Sequence, residues 1–467
     1  MNTSTFKKLG AGITLSLLTS TLLHATNGDN LISVGAKARG MGGTGIALSH
    51  GAESSLNNPA LITSVEGTEI SFGGTLFMPD IHTGFAGNSQ FGNPGDGPGG
   101  PMTNPNNPGA AFFNQANFRS DASRNVIPSV SIAHKINENW YIGIGMFGTA
   151  GMGTDYRNAG RPGTITPPTG TGSQPAGSVN YGNFNMITNL QLMQFAVPIA
   201  YKNSGFSIAL TPILQYGNLD MNFVLPTGPG TNVNVGNGLA QDFGFGWSIG
   251  ASYDFSASGV EGLTIGAVYK SSIEMEYSGQ IASSAAYFGL GEMGDTLEQP
   301  AEFGVGISYV MGQHTFAFDY KNIQWSDTLG YGYVGWEDQD VFAFGYQYEQ
   351  DNWALRLGYN YGESPVVNQD ASFNGMPTQA AMKAASVNFF NLLGFPATAE
   401  KHYTVGGTYA LTESFSIDLA YVYSPTSTKT FDLGVYAAPP SMGGMGLESI
   451  TTEHQEDSVS FQLTYTF

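Results

Sequence analysis

The 467-residue chain has no cysteine, few basic residues and no long apolar run. Each lack excludes something. Without cysteine there is no disulfide framework, so an exported protein must hold itself together by packing and backbone hydrogen bonds. Sixteen Lys and Arg against 36 Asp and Glu leave a net charge of −20, which argues against nucleic-acid binding. Charged residues total only 11%, against roughly 25% in soluble domains. No apolar run reaches the roughly 18 residues of a spanning helix. Enzyme signatures are missing as well. The seven His are scattered, none in His-Glu-x-x-His, and no P-loop or nucleophile elbow occurs. Gly40–Gly45 and Gly289–Gly294 spell G-x-G-x-x-G, but neither sits in a strand-turn-helix unit. No enzymatic activity and no cofactor are expected. The acidic loop residues lack EF-hand spacing, so no dedicated metal site is expected either.

What is present points to a membrane. Glycine reaches 64 residues, about twice its usual share of roughly 7%. Aromatics make up 12%. Residues 1–25 read as a secretory signal: Lys7 and Lys8, an apolar stretch from Leu9 to Leu23, then Leu23-His24-Ala25 with cleavage after Ala25. Its loss leaves 14 basic residues against 36 acidic, a net −22. At the other end, Val459, Phe461, Leu463, Tyr465 and Phe467 share one face of a strand, and Ser458, Ser460, Gln462, Thr464 and Thr466 share the other. A tilted strand of that length spans a bilayer.

Period-two segments recur from residue 68. Fourteen strands are expected near Thr68–Met78, Val126–Ile136, Asn139–Thr149, Ile187–Lys202, Gly205–Phe223, Phe243–Phe255, Gly262–Gln280, Pro300–Met311, Gln313–Trp325, Asp340–Glu349, Asn352–Gly362, Glu400–Ala410, Glu413–Ser424 and Asp457–Phe467. Their connections alternate between short and long. Asn137-Glu138, Asn203-Ser204, Gly312, Gln350-Asp351 and Leu411-Thr412 are tight turns. Pro79–Asn125, Ala150–Met186, Glu363–Ala399 and Pro425–Glu456 are long loops. Outer-membrane barrels put short turns at the periplasmic end and long loops outside. Residues 68–467 are therefore expected to form an all-β, 14-stranded antiparallel transmembrane barrel. Trp140, Tyr141, Trp325, Trp353, Tyr359, Tyr361, Tyr421 and Tyr423 are placed in its interfacial girdles.

Residues 26–67 do not alternate and read as a plug, or hatch, inside the barrel. The runs Gly35-x-x-Ala38-Arg39-Gly40-Met41-Gly42-Gly43 and Asn58-Pro59-Ala60 lie there. Further on come Gly244-Phe245-Gly246-Trp247-Ser248-Ile249-Gly250 and Trp353-Ala354-Leu355-Arg356-Leu357-Gly358-Tyr359-Asn360-Tyr361-Gly362. In this order these stretches resemble the long-chain fatty-acid transporter (FadL) family of outer-membrane proteins, which includes aromatic-hydrocarbon uptake channels. The resemblance implies a hatch containing Asn58, Pro59 and Ala60, and passive diffusion of hydrophobic molecules. It also implies an inward kink in the third strand that opens the wall sideways. Gly145, Gly148 and Gly151 crowd that strand and are the candidates for the kink.

An amphipathic ligand needs an apolar slot and a polar partner for its head. Val387, Phe389, Phe390, Leu392, Leu393 and Phe395 make the loop 363–399 unusually apolar, after a helix-prone Thr378–Ala385; Phe389, Phe390 and Leu393 are the ligand-binding candidates. Tyr287, Phe288, Leu290 and Met293 do the same for loop 281–299. For a carboxylate head the candidates are inward-facing Lys321 and Arg356, with Lys37 and Arg39 in the hatch. The competing expectation is that these cations pair with inward Asp319, Asp418 or Asp254. The function expected is passive outer-membrane transport of hydrophobic compounds, long-chain fatty acids first and aromatic hydrocarbons as the alternative. A general porin and an adhesive barrel are the readings from other classes. Expected partners are the hydrophobic ligand, outer-membrane lipids and lipopolysaccharide, with the chain a monomer.

Overall fold

The fourteen expected strands close into one barrel. The structure, a computed structural model, describes residues 27–87, 118–157, 186–228, 231–236, 238–287, 290–374, 378–434 and 447–467. The expected signal (1–25) and Phe288 lie outside the described residues. The wall runs through β1 (Thr68–Gly87), β2 (Asn125–Lys135), β3 (Trp140–Asp155) and β4, the last in two pieces, Ile187–Ala196 and Ile199–Asn203. It continues through β5 (Phe206–Gly228), β6 (Leu239–Asp254), β7 (Leu263–Lys270), β8 (Glu302–Met311) and β9 (His314–Ile323). β10 (Gln339–Gln350), β11 (Trp353–Gly362), β12 (Lys401–Thr412), β13 (Phe415–Asp432) and β14 (Leu447–Thr466) complete it. Closure is antiparallel, β1 on β14, from Glu69↔Thr466 to Gly87↔Leu447. Closing removes both sheet edges, which a bilayer requires because it offers backbone groups no partner.

Alternation decides which way each strand faces. On β6, Phe243, Phe245, Trp247 and Ile249 are exposed, Phe245 at 79%, while Gly250 and Ser252 turn inward. Leu355 and Leu357 face out and Arg356 faces in. Every short turn lies at one end, as expected of the periplasmic side.

Four expectations need correction. The segment expected as Gly262–Gln280 leaves the wall after Lys270, and Ile273–Glu276 pairs with Thr296–Gln299 as a separate ribbon. Inward Gly244 and Gly246 on β6 make room for it: a side chain at Gly246 would meet Ile273 at 2.6 Å. β1 runs on past Met78, through Pro79, to Gly87. Beyond Phe77 its side facing β2 is paired, among the described residues, at His82 and Thr83 and at Ile81 O, which accepts from Ser120 N (2.9 Å), and a Pro is tolerated where ladder bonds are absent. β13 and β14 likewise continue into the expected loop 425–456, through an irregularity between Ser424 and Ser427 that accommodates Pro425. Trp325 and Tyr141 are not in a girdle. Trp325 follows the end of β9, where the chain turns inward, and is fully buried; Tyr141 faces inward and is buried with Ala52, Ala60, Ile62 and Val65 of the hatch.

The hatch is built of short pieces: α1 (Ala36–Gly40), a turn Gly51–Glu53, α2 (Ser54–Asn57) and a 3-10 helix Pro59–Ser64. Its backbone lies directly on wall glycines. A side chain at Gly42 would come within 2.7 Å of the Phe344 and Tyr359 backbones, and Gly42 has φ of +71°. This close approach accounts for the Gly40-Met41-Gly42-Gly43 run. Polar wall groups hold the hatch from below and from the side. Asp319 Oδ2 accepts from Gly45 N (2.7 Å) and Ile46 N (2.9 Å). Thr404 Oγ1 accepts from Gly42 N (2.9 Å) and donates to Gly40 O (3.0 Å). Asn58 Oδ1 caps the 3-10 helix at Ala60 N (3.1 Å), and Nδ2 donates to Ile46 O (2.7 Å) and to Ala251 O on β6 (3.1 Å). The Asn-Pro-Ala motif thus staples hatch to wall: Asn58 caps, Pro59 starts the helix where no N–H is needed, and Ala60 fits a fully buried place.

Candidate functional site

Above the hatch the interior is apolar. α3 (Ile281–Tyr287) and α4 (Gln379–Leu393) come from the long loops, and their side chains join those of β3, β4 and β5 in one buried cluster. α4 extends the expected helix through the apolar residues themselves. Its last carbonyls would lack partners, and wall hydroxyls supply them: Thr452 donates to Leu392 O (2.8 Å), Thr154 to Leu393 O (2.8 Å) and Thr188 to Gly394 O. So fixed, Phe389 stacks on Phe85 at 5.7 Å, and Phe390 faces a slot. Met152, Met221, Met293, Leu219, Trp336 and Phe395 line it as well. Among the described residues no charged side chain lines it. Its cavity is only about 20 Å³, whereas roughly 150 Å³ holds a benzene. A molecule of that size would fit only if these side chains swung, which unbranched Met does easily.

One wall of the slot is Tyr331. Its hydroxyl donates to Asp29 Oδ2 and accepts from Gln299 Nε2 (3.0 Å), which also donates to Asp29 Oδ2 (2.7 Å). Gln299 in turn lines a second chamber of about 60 Å³, with Asn30, Leu31, Val34, Leu56, Lys270, Glu302 and Lys321 around it. Asp29, Gln299 and Tyr331 form a partition between slot and chamber. Asp29 is fully buried, and burial pushes its carboxyl up to about 6 against the pull of the two hydrogen bonds.

The wall beside this partition is incomplete. β2 and β3 pair from Lys135↔Tyr141 to Ser129↔Phe147 and no further, although β3 runs on to Asp155. Over Thr149–Gly151 the hatch takes the place of β2: Leu31 N donates to Thr149 O (3.0 Å), Gly151 N donates to Asp29 O (2.9 Å), and Asn30 bridges Ala150. A register shift between Gly148 and Ala150 marks the bend. Gly145 lies under the ring of Phe147, Gly148 lies against Ile127, and Gly151 receives the hatch. Leu31, Phe77 and Ile127 form a small apolar plug at this place.

The four expected cations do not converge. Arg39, almost fully buried, donates to Ser460 Oγ (3.0 Å), Ser458 Oγ (2.6 Å) and Ser33 O (3.3 Å). Arg356 donates to Gln347 Oε1 (2.6 Å) and Thr408 Oγ1 (2.7 Å) and pairs with Asp418 at 3.7 Å. Lys37 reaches Asp418 at 4.0 Å. Lys37 and Arg356 line a polar cavity of about 370 Å³ at the short-turn end, on the far side of the hatch from the slot. Lys321 alone lines the chamber, where Nζ donates to Ile32 O at 3.4 Å. Of the expected acidic partners, Asp418 pairs as foreseen. Asp319 serves hatch amides, and Asp254, exposed, accepts from Ser256 N (2.9 Å). Asp29, Gln299 and Tyr331 were not among the expected residues. The signal available was the aromatic density of Trp325, Tyr331, Tyr333 and Trp336 in one loop.

Solved outer-membrane channels share this architecture. The toluene transporter TodX of Pseudomonas putida aligns with a TM-score of 0.61 at 16% identity, covering 96% of this chain and 100% of that one. A Pseudomonas aeruginosa FadL homologue gives 0.59 at 14% identity, over 96% and 100%. The toluene transporter TbuX of Ralstonia pickettii gives 0.54 at 15% identity, over 93% and 98%. These identities show a shared fold. In sequence, an uncharacterized protein from the phosphoenolpyruvate carboxykinase gene 5' region of Chlorobium limicola is 48% identical over 69 residues, 14% of this chain. The chain spans about a third (34%) of that relative's length. The family model described as outer membrane protein transport protein (OMPP1/FadL/TodX) matches residues 29–384, from the hatch into α4. With a closed fourteen-stranded barrel and an apolar interior above a hatch, the chain belongs to this family of outer-membrane transporters of hydrophobic compounds.

Proposed function

We propose that the chain is a passive channel for small neutral hydrophobic molecules, monoaromatic hydrocarbons fitting best. The slot carries this reading: Met, Leu, Ile and aromatic side chains line it without a charge. Lys37, Arg39 and Arg356, three of the four cations expected for a carboxylate head, are engaged away from it. The solved neighbours TodX and TbuX are described as toluene transporters, which agrees. The ligand passes from the slot, past Tyr331 and Gln299, into the chamber. It leaves through the window beside β3 when Asn27–Leu31 shifts. No energy source is required, because the ligand moves down its gradient into the membrane.

Lys321 favours a second reading, the fatty-acid one that the sequence put first. Its ammonium lines the chamber and could hold a carboxylate head, with the chain lying up into the slot.

Uptake of labelled toluene and labelled oleate by cells lacking their own channel tests both. Toluene uptake that Phe390→Trp abolishes, with the barrel still folded, is the expected result. Oleate uptake lost in Lys321→Met, without toluene uptake, would replace the first reading by the second. Uptake of neither ligand would refute both.

A further inference from the structure

We infer that Asp29 is a charge filter, making this channel discriminate against organic anions relative to neutral and cationic molecules of the same shape. The inference rests on the route proposed above, from slot to chamber. Three observations carry it. First, Asp29 sits at the partition: its partner Tyr331 lines the slot and its partner Gln299 lines the chamber. A molecule moving between the two passes this carboxyl. Second, both hydrogen bonds go to Oδ2, and Oδ1 is buried with no partner among the described residues. An unpaired carboxylate oxygen in an apolar interior attracts a donor or a cation and repels a second carboxylate. Third, the field beyond it depends on Asp29. Lys270 is matched by Glu302 at 3.6 Å, which leaves Lys321 as the excess charge among the residues lining the chamber. Asp29 brings that total to neutral. An anion meets Asp29 before it reaches Lys321, so the repulsion stands in its path as a barrier.

The groups facing Asp29 are Tyr331, Tyr277 and Glu302. With its carboxyl near 6, the filter is charged at pH 7.5 and largely neutral at pH 5. A structural role alone, pinning Asn27–Leu31 to Tyr331, would affect all ligands alike. A filter acts on the sign of the ligand.

The test compares uptake of toluene, benzyl alcohol, benzoate and benzylamine, four molecules of nearly one shape, in cells whose only channel for them is this protein. The wild type should take benzoate about tenfold more slowly than benzyl alcohol, from a like charge met at close range in a low dielectric. Asp29→Asn should raise the benzoate-to-toluene ratio about tenfold and lower the benzylamine-to-toluene ratio. Tyr331→Phe loses a hydrogen bond that holds the carboxyl down, so the pH at which both ratios change should move upward, which a purely structural role would not produce. If Asp29→Asn fails to assemble, the wild type still decides: its benzoate-to-toluene ratio should rise from pH 7.5 to pH 5.5, where benzoate remains mostly ionised. Ratios unmoved by Asp29→Asn, or by pH in the wild type, would overturn the filter. Absence of toluene uptake by the wild type would overturn the transport reading instead.

Discussion

Replacing Glu53 by Gln should tighten the hatch, and the gain should grow with pH. Glu53 closes the turn Gly51–Glu53 and is fully buried against Gly35, and neither carboxyl oxygen has a hydrogen-bond partner among the described residues. Burial pushes its carboxyl up to about 8, despite the attraction of Lys37. In a displaced hatch, open to water, it would titrate near the ordinary 4.5. The docked hatch therefore binds the proton more tightly than the displaced one. Docking is favoured below pH 4.5 and progressively lost as pH rises to 8. At about 1.4 kcal/mol per unit, the cost relative to a non-titrating side chain is about 3 kcal/mol at pH 7. It levels off near 5 kcal/mol above pH 8. That is a factor of about a hundred to a few thousand in the docked-to-displaced ratio. Ion conductance in planar bilayers reads it, since a displaced hatch leaves an aqueous pore. Wild-type leak should rise between pH 6 and 9, and Glu53→Gln should stay tight throughout. A wild-type leak flat over that range, or a Glu53→Gln variant leakier than the wild type at pH 9, would refute the reasoning. Either would mean that Glu53 is ionised and usefully paired with Lys37.

Other substitutions test other joints. Asn58→Ala removes one cap and two donated hydrogen bonds and should weaken hatch docking by about 2–3 kcal/mol, visible as faster proteolysis between residues 27 and 67. Gly358→Ala would drive a methyl into the backbone at Met41 and Gly42; the barrel should still fold, with conductance raised as the hatch is pushed off. The chain has no native cysteine, so Asn30→Cys with Ala150→Cys places a single pair across an antiparallel bridge, where Cα atoms about 4.5–5.5 Å apart can form a disulfide. Uptake should stop on oxidation and return on reduction, and uptake indifferent to oxidation would show that this hatch segment does not move.

The barrel was legible because its signal is local. Alternation along Phe243, Phe245, Trp247 and Ile249 reads the same in sequence and in space, and the strict exchange of short and long connections fixes the ends. The hatch was legible for a related reason: Gly40-Met41-Gly42-Gly43 and Asn58-Pro59-Ala60 are backbone requirements, and only a few residue types meet them. Misreadings came where tertiary space overrode local pattern. Ile273–Glu276 alternates like a wall strand but folds inward because Gly244 and Gly246 leave room for it. Trp325 looks like a girdle residue but lies just past the end of β9 and is buried in the interior. The site was the least legible part. Asp29, Gln299 and Tyr331 are 270 and 32 residues apart in order along the chain, and no periodicity connects them. The cations drew attention because inward charge is rare, but all four bond to the hatch or the wall, and of the four Lys321 alone also lines the chamber.

The closed slot also bears on how such a channel can release what it takes. Opening about 20 Å³ to the roughly 150 Å³ that holds a benzene costs about 3 kcal/mol, at about 24 cal/mol per Å³ of apolar cavity. Burying the carbons of a toluene-sized molecule returns about 6 kcal/mol, at about 0.8 kcal/mol per buried carbon. The difference, about 3 kcal/mol, is weak binding. A rigid slot already open to that volume would bind about a hundredfold more tightly and hold its ligand correspondingly longer. Passive transport has no energy source to strip a tightly held ligand, so weak binding serves it. Met152, Met221 and Met293 line the slot, and on the proposed function their flexible side chains would part to admit a ligand. The polar work is kept apart, in the hatch and its wall contacts. The interior thus separates an apolar half that yields to the ligand from a polar half that holds the door, and Asp29 lies on the boundary between them.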